Sequence, residues 1–477
     1  MKRFVGRKKE LDQLERIWSE DRYKTCAIYG RRRIGKTSLF RKFIEDKRSI
    51  VMDLVMGTEV ENVRRMGRIL QEVSGTVPAG ETLYDIFQVL KSLCSEERTV
   101  VVIDEMPYLT ADNRRAASEI QHFADWLMDN TDSMLIVCGS SISLMMHGLK
   151  DRDGPLFGRF HHIIDLGPLE LEETRDFHPG MSDVDLLSTY LTLGGVPMFH
   201  AGAGDRSYAD LVEDYLFEPS GVFYIDSVGI VVSEMKNLSS ESMSVLEAIA
   251  AGNCRFGEIA SRTGLSDLTL TKCLKGLSGM RLIGELHPMA GAPKHPRYII
   301  TDAPTSFYFT VIRRNPHLSG PKGGRYEAVS QQISSFLGRQ LEVFCRDVFP
   351  SRYPCTEIGS WWGAVPVRDD SGRLVRDGRG KAVTEDADID LVATLRRGND
   401  RIDLFAECKF TRRKASFTVL NDLRKRAESL KGGYNLRLAI VSVYGFEDDL
   451  SRYAEDNGII LIGLDCLVGK AQYPDIA

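Results

Sequence analysis

KTCAIYGRRRIGKTSLFRKFIE, residues 24–45, decides the reading of the first third of the chain. Thr25 to Tyr29 is a short apolar run of strand character, Gly30 to Thr37 fits the spacing GxxxxGK[ST], and from Ser38 onward Leu39, Phe40 and Phe43 recur at helical spacing. Strand, glycine-bounded loop and helix in that order make a phosphate cradle. Gly30 and Gly35 let the backbone curl so that successive N–H groups face phosphate oxygens, and the helix adds its positive end. Lys36 reaches the β- and γ-phosphates, and the Thr37 hydroxyl coordinates Mg²⁺. The run Gly30, Arg31, Arg32, Arg33, Ile34, Gly35, Lys36, Thr37 and Ser38 is the expected ATP site, with Mg²⁺ as the second cofactor; the three arginines either contact phosphate or are surface charge on a tight loop.

A second apolar strand lies downstream in TVVVIDEMPYL, where Val100 to Ile103 end in Asp104 and Glu105. Carboxylates at the tip of a buried parallel strand suit a nucleotide site: Asp104 would hold Mg²⁺ through water, and Glu105 would act as the catalytic group that polarises the attacking water. The strand Met134 to Cys138 ends in Gly139, Ser140 and Ser141, so Ser140 either senses the γ-phosphate or caps the next helix. Arg152 and Arg159 in DRDGPLFGRF precede a strand from His162 to Leu166; Arg159 either reaches a phosphate, in cis or from a neighbouring subunit, or is a solvated loop arginine.

Composition bounds what surrounds this site. The 477 residues suggest about three domains at roughly 150 residues each. The 62 Lys and Arg against 67 Asp and Glu leave a net charge of −5, so any contact with nucleic acid must be local. Nine cysteines without a CxxC pair argue against a disulfide scaffold or a structural zinc site. No leader-like segment or uncharged run near ~20 apolar residues occurs, and the chain reads as cytoplasmic, untargeted and free of membrane partners.

The opening FVGRKKELDQL, together with GRRRIGKTS, VVVIDEMPYL, CGSS, LFGR and LGGVP, resembles the archaeal-type ATPases, a P-loop group allied to the AAA+ and STAND ATPases. The likeness covers about residues 1–235. It implies a parallel sheet between helices over 1–168 and a small helical lid over 169–236, and it makes the three arginines part of the family pattern.

The middle, 237–312, reads as a winged helix. Apolar residues at 245, 246 and 249 give one helix, Ile259 and Ala260 a second, Thr263-Gly264-Leu265 the turn, and Ser266 caps a third helix carrying Leu268, Leu270, Leu274 and Leu277. Arg281 to Leu286 and Arg297 to Ile300 are the expected wing strands, joined by Gly291 to Pro296. The third helix offers only Lys272 and Lys275, with Thr269 and Thr271, for DNA, so a spacer or protein-contact role stands beside DNA binding.

A break rich in Pro, Gly and basic residues at 313–325 opens an expected linker over 313–334, and a helical pattern runs over about 327–348. The last domain, 335–477, has the order α-β-β-β-α-β with its first strands near 356–362, 389–393 and 402–409. Asp390 begins a strand in DADIDLVA. Glu407 and Lys409 end the next in AECKF, where alternation puts both on one face. Asp390 and Glu407 would bind Mg²⁺, Lys409 would orient or deprotonate water, and Glu342 from the preceding helix would complete the carboxylate set; the plainer alternative for Glu407 and Lys409 is a surface ion pair on a strand. This pattern resembles the PD-(D/E)xK restriction-endonuclease-like fold, and IGSWWG with DADIDLV and AECKF resembles the DUF234 domain. The charged stretch VRDDSGRLVRDGRGKAVTED, residues 367–386, is longer than that resemblance implies. The chain is thus expected to be a multidomain α/β protein: an ATP-binding ATPase coupled to a DNA-interacting, Mg²⁺-dependent nuclease domain. The alternative is a nucleotide-switched DNA-binding or signalling regulator whose nuclease-like tail does not cut. An arginine acting between subunits would make it an oligomer.

Overall fold

Five strands too apolar to face water organise the first part of the chain: β1 (Thr25–Tyr29), β2 (Ser49–Asp53), β3 (Val100–Asp104), β4 (Met134–Gly139) and β5 (His162–Asp165). Every residue of β1, β3 and β4 is buried. They pair in parallel in the order β2-β3-β4-β1-β5, which accounts for near-continuous apolar runs in place of alternating ones. Because β4 lies between β3 and β1, the loops after all three strands open at one edge of the sheet, where ligands of such sheets sit. The helices Glu59–Ser74 and Leu83–Glu96 begin with capping boxes at Thr58 and Thr82 and bury Met66, Leu70, Phe87 and Leu90 in the core.

The computed structural model describes residues 4–111, 113–235, 238–289, 296–320, 322–367, 369, 373–397, 400–428 and 435–476. They fall into two units, Met1–Phe177 with Gly195–Ala201, and His178–Gly194 with Gly202–Ala477. The first unit thus runs nine residues past the expected edge at 168 and regains a short segment from within the expected lid. Among the described residues no helix is long and apolar enough to cross a membrane.

In the second unit the helices Ser239–Ala250, Phe256–Thr263 and Asp267–Gly279 precede an antiparallel pair, β6 (Ile283–Leu286) and β7 (Arg297–Ile300). Gly264 takes φ 68° and ends the second helix, and the Ser266 hydroxyl accepts the Thr269 N–H at 3.3 Å. The expected connection at Gly291 to His295 lies outside the described residues.

A 28-residue helix, Arg325–Arg352, leads into a mixed sheet: β8 (Cys355–Pro366), β9 (Thr384–Arg397), β10 (Asp400–Lys409), β11 (Leu436–Ser442) and β12 (Ile460–Gly463), in the order β12-β11-β10-β9-β8. β8, β9 and β10 are antiparallel neighbours, whereas β10, β11 and β12 run parallel, with the helices Phe417–Glu428 and Asp448–Asn457 as crossovers. The segment after β6 adds to the edge: the Met289 N–H donates to the Ser360 carbonyl at 3.0 Å, and Pro288 bridges Ser360 in parallel. A Cβ on Gly359 would stand 3.0 Å from the His287 carbonyl oxygen, so the approach uses a glycine. The Arg297 guanidinium lies 4.4 Å above the Trp362 ring.

Two sequence expectations need correction here. The linker at 313–334 is shorter, because Gly323 and Gly324 take φ 110° and 75° and the long helix starts at Arg325. The strands β8 and β9 also extend well beyond 356–362 and 389–393, since their polar residues still pair across the ladder as far as Pro366 with Thr384. Arg325 is 1% exposed and donates to the carbonyls of Glu213 and Gly320, both at 2.6 Å. Arg325→Met leaves those carbonyls without their donor and should cost about 1–3 kcal/mol in a denaturant titration, against little change for exposed Arg379→Met.

Candidate active site

The phosphate loop is shaped by what cannot fit. At Gly30 a Cβ would lie 2.4 Å from the Leu166 carbonyl oxygen, so any side chain there pushes the loop away from the strand beside it. Gly35 has φ 98° and stands at the N-cap of the helix Lys36–Phe43, and Arg33 also adopts a left-handed φ of 66°. These turns aim the loop amides and the positive end of the helix at one place. Ile34 is buried, while Thr37 and Ser38 are exposed in the first turn.

Lys36 is 6% exposed, and its Nζ donates to the carbonyls of Gly30 at 2.7 Å and Arg31 at 3.0 Å. Burial lowers its pKa, against the opposing pull of Glu105 and Asp104. The Thr37 hydroxyl donates to Asp104 Oδ2 at 3.1 Å, which ties the loop to the tip of β3. Burial raises the Asp104 pKa, and neighbouring Glu105 adds to it. A buried Asp104 and a half-buried Glu105 beside a lysine and a threonine hydroxyl have the donor chemistry to hold a hard divalent cation with phosphate oxygens. Glu105 adopts φ 56°, and its Oε2 accepts from both the Ser140 amide at 2.9 Å and the Ser140 hydroxyl at 2.8 Å. Ser140 therefore restrains Glu105.

The three loop arginines differ. Arg32 donates to the Tyr108 hydroxyl at 3.0 Å, Arg33 Nη1 stands 3.0 Å from the Met198 sulfur, and Arg31 is half-buried and lends its carbonyl to Lys36. For Arg159 the expectation of a phosphate contact in cis is corrected. It precedes β5, its carbonyl accepts from Thr25 at the start of β1, and its Nε pairs with Asp125 at 2.8 Å. The loop follows the other end of β1. Sequence reading assigned no role to Arg7, which is 3% exposed and donates through Nη2 to the carbonyls of Ile34 at 2.9 Å and Gly167 at 2.7 Å. Its place in the opening FVGRKKEL was the available signal.

Residues 4–198 match the model of a family described as an ATPase domain predominantly from Archaea. A 45-residue stretch is 53% identical to an uncharacterized ATP-binding protein of Methanocaldococcus jannaschii, MJ0423, covering 9% of this chain and 76% of that one. This region belongs to the archaeal ATPase family. ATP binding by the ATPase domain follows from that membership. An uncharacterized protein of the same organism, MJECL04, is 27% identical over 421 residues, 85% of this chain and 87% of its own length. Among solved structures, the Walker-type ATPase PABY2304 of Pyrococcus abyssi aligns with 65% of this chain and 96% of that chain at 20% identity and a TM-score of 0.49.

Beyond the ATPase domain, the second unit gathers a cluster of carboxylates. Glu342 of the long helix, Asp388 and Asp390 of β9 and Glu407 of β10 lie close enough to act on one another. Asp390 Oδ2 accepts the Cys408 N–H at 2.8 Å, and its carbonyl accepts from Ser360 Oγ and Arg346 Nη1, each at 2.7 Å. Glu407 is 5% exposed and is held by Lys409 Nζ at 2.6 Å and Arg426 Nη2 at 3.1 Å. Lys409 is thus an ion-pair partner. Burial acts to lower its pKa, and Glu407 and Asp390 more than reverse this. Arg346 and Arg426 were not singled out from the sequence; the four-residue step from Glu342 to Arg346 was the one visible hint. Among the described residues no group of three or more His, Cys, Asp or Glu side chains is set to hold a metal ion as the side chains stand.

Burial and the Asp390 charge push the Glu342 pKa up to about 8, and burial and Glu407 push Asp390 to about 6. The folded chain therefore keeps protons that the unfolded chain has released, and stability falls as pH rises from about 4 to about 8. In buffer with chelator, thermal unfolding of the second unit should move to lower temperature across that window. Glu342→Gln should flatten the dependence.

Proposed function

We propose that the protein binds ATP with Mg²⁺ and hydrolyses it in the ATPase domain, and that the second unit is a nuclease-like domain acting on DNA. The observation that carries the first half is the link from Thr37 to Asp104 beside buried Lys36, with Glu105 held by Ser140. In this reading Lys36 would leave its loop carbonyls for the β- and γ-phosphate oxygens, and Thr37 and Asp104 would hold Mg²⁺, which would supply positive charge against that developing on the phosphoryl oxygens. Glu105 orients the attacking water, and Ser140 fixes where its carboxylate points.

Lys36→Ala should abolish ATP binding in an equilibrium assay. Glu105→Gln should keep it while lowering turnover by about 10²–10⁴-fold. Turnover at the wild-type rate in Glu105→Gln would remove the residue from the mechanism.

The second half rests on the convergence of Glu342, Asp390 and Glu407 with Lys409 on adjoining elements. Asp390 and Glu407 would hold the cation, Glu342 would complete the set, and Lys409 would position water once released from Glu407. The helices 239–279 with β6 and β7 are read as a winged helix. A nucleotide-switched regulator with a tail that does not cut is the second reading, favoured by the two cations already paired with Glu407. Plasmid and linear DNA with Mg²⁺ or Mn²⁺, with and without ATP, separate the two. Cleavage by wild type and Lys36→Ala but not by Asp390→Ala is expected for the nuclease; ATP turnover without cleavage under any condition selects the regulator.

A further inference from the structure

The described residues between β8 and β9, 367, 369 and 373–383, pair with one another as an arm. The Val367 N–H donates to the Val383 carbonyl, Val375 to Val367, and Val383 to Val375, all at 2.9 Å, so three passes of chain pair with one another. Two of its acids serve its own turns. Asp377 Oδ1 accepts the N–H groups of Arg379 and Lys381, and Asp369 Oδ1 accepts that of Arg373, again at 2.9 Å. Its basic residues Arg373, Arg376, Arg379 and Lys381 are all exposed. In a chain of net charge −5 this is a local reversal of sign.

Register places the arm. Pro366 pairs with Thr384 at its base, Trp362 pairs with Asp388, and Leu391 pairs with Ala406. The arm and the carboxyl end of β10 therefore share one end of the sheet, where exposed Arg412, Arg413 and Lys414 follow Lys409. From Thr384 to Asp390 the strand covers roughly 20 Å, which is about six nucleotides along one strand of a B-form duplex.

We propose that this arm grips the phosphate backbone of double-stranded DNA, its base standing about six nucleotides from the carboxylate cluster and its basic residues further out. The inference rests on the nuclease-like reading of that cluster. It takes DNA over an acidic protein because the arm's exposed cations stand at the same end of the sheet as the cluster that this reading assigns to phosphodiester chemistry. Exposed Glu385, Asp386 and Asp388 lie between arm and cluster and repel either polyanion until a divalent cation is shared.

The test uses the full chain and a fluorescent 30-base-pair duplex, with anisotropy read in Ca²⁺ between 50 and 200 mM salt. The double variant Arg379→Ala, Lys381→Ala should bind about 5–30-fold more weakly, with a log–log salt slope smaller by about 2. Arg379→Lys should bind as wild type. An unchanged affinity and slope in the double variant overturns the proposal. So does polyglutamate that binds wild type as tightly as DNA and loses affinity equally in the variant, which would make the partner an acidic protein. Binding is read without cleavage, so an arm effect with no cleavage by wild type in Mg²⁺ rejects the nuclease reading and leaves the grip standing. Cleavage by wild type with no arm effect does the reverse.

Discussion

Everything at the nucleotide site depends on how closely the turn after β1 can run against the neighbouring chain. With the Leu166 carbonyl only 2.4 Å from where a Cβ would begin, Gly30 is fixed by exclusion. Because the loop hugs the sheet there, Lys36 reaches back to the carbonyls it has just passed, and Thr37 meets Asp104 from the next strand but one. Arg7 closes the arrangement from outside by holding the carbonyls of Ile34 and Gly167 together. Two cations thus brace the loop, Arg7 from outside and Lys36 from within.

The two acidic sites solve opposite problems. In the ATPase domain, Asp104 and Glu105 are adjacent in sequence and face a single buried lysine, and their mutual repulsion is relieved by neutral donors, Thr37 and Ser140. In the second unit, carboxylates from three separate elements converge, and the relief comes from cations, Lys409, Arg426 and Arg346. Neutral donors leave a carboxylate's charge available to a metal, whereas an ion pair largely consumes it. That contrast separates the two sites more sharply than their residue types do.

Local features were legible in the sequence where a single segment carries them. The loop 30–38, the tip Asp104-Glu105, the cap at Ser266 and the i, i+2 pair Glu407 and Lys409 are each set by a few neighbouring residues, and the structure places them as strand ends and turns. What could not be read depends on pairing between distant segments. Arg159 looked suited to reach phosphate because it sits in a glycine-rich loop, yet parallel pairing of β5 with β1 puts it at the opposite end of the strand. Arg346 and Arg426 gain their partners through the packing of helices on β9 and β10, which no periodicity reveals. The extent of β8 and β9 was likewise hidden, because exposed antiparallel ladders tolerate charged residues that look like loop.

The contact of the 287–289 segment with β8 has a consequence for how the second unit behaves in a crowded solution. β8 is the outermost strand of its sheet, and an outermost strand offers unpaired N–H and carbonyl groups to any other extended chain. Met289 occupies part of that row, and the stacking of Arg297 on Trp362 weights it down. The 287–289 segment thus shields part of the sheet edge from its own kind, and removing it would leave a sticky flank.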